Sequence, residues 1–191
     1  MIADVAVSDE RLVVALVREI LEHPADHPWV MQDIGLLALR LDERRVYRLH
    51  VWDPAMCVGE PPIHDHPFDF TSTVVAGEVT NTVWAESASG VEHERDRYTP
   101  PDETARATDT IRLSGVPTTF TAGASYGQLA HQLHSSAQVP GTVTVLRRSS
   151  WHVRELTVCR RPGSPWVSGE SRPARPAEVR RITTAARDLM G

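Results

Sequence analysis

The chain has no lysine: all twenty of its Lys+Arg residues are arginine, and 25 Asp+Glu outnumber them for a net charge of −5. A mild acidic excess excludes the strongly basic face of a nucleic-acid footprint, so no nucleic-acid partner is expected. Cysteine is scarce too. Cys57 and Cys159 lie far apart in sequence, which gives neither a disulfide framework nor a cysteine-pair zinc spacing and reads as a reducing, cytoplasmic compartment. No apolar run approaches the ~20 residues of a membrane span, so no membrane partner is expected. The opening residues MIADVAVSDERL are acidic where a secretory signal is basic. There is no internal repeat of fixed period.

What is present is enough for one domain. The chain has 191 residues, 41% of them hydrophobic, and can bury one core but hardly two. Three zones follow within this single domain, residues 1–191. Residues 8–41 read as helical. Ser8 or Asp9 caps a helix with Leu12, Leu16 and Ile20 at four-residue spacing and Val13 and Val17 beside them. His23-Pro24 ends it, and a second helix is expected from about Pro28 to Leu39.

Residues 44–160 read as β-rich. The stretch from Arg45 to Trp52 alternates loosely, and β-branched runs at 70–75 and 79–84 flank Ala76-Gly77-Glu78, a hairpin signature. Further strands are expected at 118–121 and 142–146. Residues 86–110 are charged and turn-rich, an exposed insertion or a long hairpin tip. A Pro-, Ser- and Arg-rich linker at 161–176 leads to a last helix over 177–189, with Val179, Ile182, Ala186 and Leu189 at helical spacing. Many short strands punctuated by Gly and Pro indicate a sandwich or barrel.

The chemistry concentrates in Ile63-His64-Asp65-His66-Pro67. Residues two apart on a strand share a face, so His64 and His66 would project together and chelate one metal ion. The segment from His64-Asp65-His66 to Ala76-Gly77-Glu78 resembles the first motif of the cupin family, in which His-x-His precedes an acidic residue and a glycine turn. The family's acidic position, seven residues before that glycine, holds Phe70 here. A second stretch, Gly123 through Leu129, His131, His134 and Gln138, is similar in register to the second cupin motif. His131 stands at that motif's second glycine and His134 at its histidine.

The resemblance, which covers about residues 46–148, implies a mainly β fold, a cupin-type jelly-roll barrel with N- and C-terminal helices. It implies one divalent metal on His64, His66 and His134. Neutral imidazoles suit Fe(II), with Zn, Ni or Mn as alternatives. The vacant carboxylate position resembles the three-histidine site of cysteine dioxygenase-type (thiol dioxygenase-like) cupins. Such a site implies a mononuclear non-haem Fe(II) dioxygenase using O2 on a small anionic molecule such as a thiolate, since three neutral ligands leave the metal charge uncancelled. A Cys–Tyr crosslink is not implied, because Cys57 stands far from Phe70. Asp69 would replace the missing carboxylate only if Pro67 forced a bulge that reversed the strand parity.

Other candidates are weaker. Arg48 and His50 share a strand face with Val46 and Trp52; inward, Arg48 would clamp a substrate carboxylate, and outward it would be solvated. Of Arg147 and Arg148, one should point inward, and Arg147 is the candidate substrate ligand. Phe68 and Phe70 would line an apolar pocket. Tyr126 would bring a hydroxyl near the metal, and His131 an acid or base. His23, His27, His93 and His152 read as surface residues or, for His152, as structural. Three further readings stay open: a non-redox metal isomerase or lyase with His131 or His50 as base, a non-catalytic binding barrel, and a barrel whose histidines are core residues. Pairing through barrel edges or terminal segments would give a homodimer.

Overall fold

The computed structural model describes residues 10–57, 59–99, 102–152, 155–164 and 171–191. Helix α1 (Glu10–Glu22) stops at His23-Pro24 as the proline requires, and a single 3-10 turn follows at Pro24–Asp26. Its buried stripe is Val13, Val17, Ile20 and Leu21, while Leu12 is 52% exposed. The stripe therefore follows the i, i+4, i+7, i+8 spacing of a helix lying on a sheet.

The second helix expected at 28–39 is not there. That stretch forms strands β1 (Val30–Gln32) and β2 (Ile34–Arg40), paired antiparallel with Met31 opposite Leu37. Residues 35–39 of β2 are all buried, so the strand is covered on both faces and loses the alternation that marks it in a sequence.

The remaining strands are β3 (Tyr47–Cys57), β4 (Ile63–His64), β5 (Phe68–Ala76), β6 (Glu78–Thr99), β7 (Asp102–Thr121), β8 (Ser125–Gln128), β9 (His134–Gln138), β10 (Val143–Trp151), β11 (Leu156–Arg160) and β12 (Ser171–Pro173). They make a mainly β sandwich of two antiparallel sheets. The first runs β12-β1-β2-β3-β10-β5-β8 and the second β11-β4-β9-β6-β7, with β11 also paired to β6.

One further expectation changes, and one open alternative is decided. The runs on either side of Gly77 do not form a hairpin: β5 pairs with β10 and β8, whereas β6 pairs with β7, β9 and β11. Gly77 is the corner where the chain changes sheets. It has φ +79°, and a Cβ there would lie 2.5 Å from the Thr142 hydroxyl and 2.9 Å from its Cα. The Thr142 hydroxyl holds the corner, accepting from the Glu78 amide and donating to the Glu78 carbonyl. Residues 86–110 are a long hairpin rather than an insertion, because β6 and β7 stay paired out to Thr99 and Asp102. The charges predicted to be solvated there pair across strands: Arg95 makes two 2.7 Å bonds to Asp109 and Arg97 a third. His93, expected at the surface, is buried and donates from Nδ1 to the Val91 carbonyl.

Helix α2 (Pro176–Met190) is the expected C-terminal helix, with Val179, Ile182 and Ala186 buried and Leu189 exposed. At its start, Glu178 accepts from the Arg175 amide and takes a two-pronged bond from Arg172. The Arg18 guanidinium of α1 donates to the carbonyls of Met190 and Gly191 at the other end, where the helix dipole is negative. Both helices lie on the first sheet. Val17, Ile20, Leu21, Val179, Ile182 and Ala186 pack with Leu37, Leu39, Leu49, Val51, Val143 and Val145 into one core. Among the described residues, no helix is long and apolar enough to cross a membrane.

A three-histidine cluster in an inter-sheet cavity

Alternation along β3 and β10 sends Leu49, Val51, Val143 and Val145 to the helices. The residues between them must face the other sheet. Arg48, His50 and Trp52 from β3, with Thr144, Leu146 and Arg148 from β10, line a cavity of about 290 Å³ between the sheets.

One wall of that cavity holds the histidines. His64 ends β4 and His134 begins β9, and the two are direct antiparallel partners. His66 lies two residues past His64, and its carbonyl accepts from the His131 amide at 3.0 Å. The ring centroids of His64 are 4.8 Å from those of both His66 and His134, and His66 and His134 are 5.1 Å apart. One ring nitrogen from each lies within 4.8 Å of the other two.

The backbone and a buried amide orient two of these rings. His64 Nδ1–H donates to the Pro62 carbonyl at 3.1 Å. His134 Nδ1–H donates to Asn81 Oδ1 at 2.9 Å, and Asn81 in turn donates to Gln128 Oε1 at 3.2 Å. Gln128 ends the chain by donating to Gln132 Oε1 at 2.8 Å. With Nδ1 committed as donor, Nε2 of each ring carries a lone pair, the arrangement that metal-ligating histidines share. The Nε2 atoms of His66 and His134 are 3.1 Å apart. Two nitrogens about 2.1 Å from one metal lie about 3.0 Å apart at a right angle and about 3.4 Å apart at a tetrahedral one. The donor set therefore fits a divalent ion. Burial is the main cause holding all three imidazoles below their ordinary range, His66 and His134 well below it. All three are neutral, as ligands must be.

No carboxylate joins the group among the described residues. Phe70 instead puts its ring 5.2 Å from His66 and 5.8 Å from His134. Asp65 alternates away from the cluster: its Oδ1 accepts from the Thr157 amide at 2.8 Å and its Oδ2 is 3.6 Å from His131 Nδ1. Asp69 accepts from the Ala130 amide at 2.7 Å and lies 3.8 Å from His152, outside the three-histidine group and the cavity lining.

The other sequence candidates divide. Phe68 and Phe70 line the cavity, Phe68 stacked at 5.1 Å on His66. Tyr126 lines it too, 4.8 Å from Phe120, with its hydroxyl bonded to Ser72 and its acidity weakened by burial. Arg48 faces inward. Arg147 does not: it shares the parity of Val143 and Val145, is exposed, and leaves the inward position to Arg148. Arg148 sits over the Phe68 ring, 4.2 Å from its centroid.

His131 also lies outside the cavity lining, beside Asp65 and 6.2 Å from the His152 ring. The cause is its backbone, left-handed at φ +60°. That conformation costs a non-glycine residue about 1 kcal/mol or more. Cys57 donates to the Gly59 carbonyl and is not among the residues that line the cavity.

Asn81, Gln128 and Gln132 were not foreseen. Asn81 did leave a sequence signal, a short amide inside a β-branched run where asparagine is disfavoured. Trp52 and Arg148 would have followed once one residue of each strand was known to face inward.

No family model matches the chain, and no curated protein matches it. Among solved structures it matches a chain from the crystal structure of Drosophila melanogaster CENP-C bound to CAL1. The identity is 12% and the TM-score 0.41, over 74% of this chain and 100% of that one, a likeness too slight to carry any argument.

Proposed function

We propose that the protein is a cupin-type jelly roll that holds one divalent metal on His64, His66 and His134 and acts on a small organic anion, with O2-dependent oxidation by Fe(II) as the chemistry. The observation that carries the reading is three neutral imidazoles converging on one cavity wall with a phenyl ring, Phe70, in place of a carboxylate. The jelly-roll assignment draws support from strand order. Stripped of β1, β2, β11 and β12, the sheets run β3-β10-β5-β8 and β4-β9-β6-β7, the double Greek-key arrangement of eight strands.

Iron(II) on three neutral imidazoles would supply electron transfer between substrate and dioxygen and would keep its full charge for an anionic ligand. The chain's own residues do the rest. Phe68 and Phe70 exclude water from the cluster and give the substrate an apolar wall. Asn81 and the Pro62 carbonyl fix which nitrogen of His134 and His64 faces the cavity. Tyr126 presents a protonated hydroxyl on the same lining.

A non-redox isomerase or lyase has one observation in its favour. His50 lines the cavity with Nε2 buried and unpartnered, and burial, then Arg48 and Arg148, push it down to about 3. It is an unprotonated, weakly basic imidazole with a free lone pair on the cavity lining.

The test is anaerobic reconstitution with Fe(II), Mn(II), Ni(II) or Zn(II), followed by metal analysis and oxygen uptake with a panel of small thiols and enolisable acids. One equivalent of metal, and oxygen consumption only with iron, is the expected result. Turnover without oxygen would replace it with the isomerase reading. Failure to retain any divalent metal would sink both.

A further inference from the structure

Six buried polar side-chain atoms among the described residues lack a hydrogen-bond partner, and four of them belong to residues that line the cavity: Arg48 Nε, Arg148 Nε, His50 Nε2 and Trp52 Nε1. Three are obligate donors, since guanidinium and indole N–H groups cannot accept. They come from adjacent strands. Arg48 is opposite Leu146 in the β3–β10 ladder, and the Arg148 amide donates to the Val46 carbonyl.

The charge around them is one-sided. Arg40 stands directly opposite Arg48 across β2 and β3, a like-charge pairing that strands ordinarily avoid. Arg45 adds a further positive charge, and Asp42 opposes them at Arg148. The Asp42 carboxylate is engaged by the amides of Val46 and Tyr47. Burial, then Arg40 and Arg45, lower the Arg48 guanidinium; burial, then Arg48, bring Arg148 down to about 10. Two half-buried guanidiniums thus line the cavity with no paired acid among the described residues and no acceptor for their buried Nε–H groups. Buried unpaired charge is destabilising on its own account, and such groups mark ligand sites.

We infer that Arg48 and Arg148, with the Trp52 indole N–H, form an anion subsite for a terminal oxyanion group, carboxylate or phosphate, on the cavity's substrate. Each guanidinium offers Nε–H and Nη–H in a planar fork that matches two oxygens of one such group. The inference rests on the proposed metal pocket only for the far end of the ligand. Together they define the substrate class as a bifunctional acid, with one oxyanion on the arginines and a second, metal-seeking group facing the histidines. Phe68 lies between the two, stacked on His66 and under Arg148.

The experiment uses the metal-free full chain at low ionic strength, so that it does not depend on the metal reading. Thermal melts are followed with succinate, inorganic phosphate, the neutral succinamide, or chloride at matched ionic strength. The variants are Arg48→Gln, Arg148→Gln and, as the exposed neighbour, Arg147→Gln. Succinate or phosphate at about ten times its dissociation constant should raise Tm by about 3–5 °C. Whichever of the two acts at lower concentration identifies the terminal group. The rise should persist in Arg147→Gln and disappear in both Arg48→Gln and Arg148→Gln. Without anion, both variants should melt no lower than the parent, because each relieves repulsion. A rise with succinamide or chloride equal to that with succinate would overturn the subsite, as would equal loss in Arg147→Gln, or no rise at all. Anion binding without metal retention would instead overturn the metal reading and leave the subsite standing.

Discussion

The two faces of the first sheet are built from the same strands and do opposite work. Toward α1 and α2, β3 and β10 present Leu49, Val51, Val143 and Val145, apolar and almost wholly buried. One residue along, the same strands present Arg48, His50, Trp52, Thr144 and Arg148 to the other sheet. A sandwich ordinarily makes its core between its sheets. Here the principal core lies between helices and sheet, and the inter-sheet space holds the cavity with its histidines and arginines. The helices let the interior carry unsatisfied donors and neutral imidazoles, because the stability is supplied on the other side.

That division can be broken from the helix side with the largest effect. Leu37→Ala, at a residue with no exposure, should cost about 2–5 kcal/mol in urea unfolding, with metal stoichiometry in the folded fraction unchanged. Loss of metal binding by the folded variant would show that the faces are not independent. From the cavity side, His66→Ala should weaken metal affinity by more than about 100-fold. It should cost the metal-free protein only about 1 kcal/mol, the worth of the ring stacking, as calorimetric titration and melts would report.

The amide chain behind the cluster sharpens the same contrast. Asn81→Ala removes the acceptor that orients His134, so affinity should fall about 10–100-fold. Asn81→Asp keeps an acceptor and should recover most of it. A purely structural role for Asn81 would instead change stability with affinity unmoved.

The smallest effect belongs to the rim of the helix face. Arg172 is the leading cause that holds the Glu178 carboxyl down to about 2, against an ordinary 4.5. A carboxyl depressed on folding stabilises above its unfolded value and loses that contribution as pH falls through the folded one. Glu178→Gln should therefore cost about 1 kcal/mol at pH 7, discounted for its solvent contact. The difference from the parent should fade between about pH 4.5 and 2, which paired urea melts would show.

How much of this was legible beforehand differs by element. α2 was readable to within a residue at either end, because helical spacing is a local signal. The β1–β2 pair was not, since a segment covered on both faces presents the same apolar run as a buried helix. At Gly77 the turn was visible but its destination was not. Whether two strands meet across a corner in one sheet or part into two depends on partners such as Thr142, sixty-five residues away.

By itself, then, the sequence determined the mainly β character, the His64–His66 pair and the absence of a long apolar helical run. These follow from spacing, which a chain carries in its own order. Only the tertiary structure decided that His134 lies directly opposite His64, that Arg148 and not Arg147 turns inward, and that His131 turns out. It also decided that Asn81 and Gln128 brace the cluster. Each of those depends on strand register, and register is set when distant segments pair and one face of a sheet finds its cover.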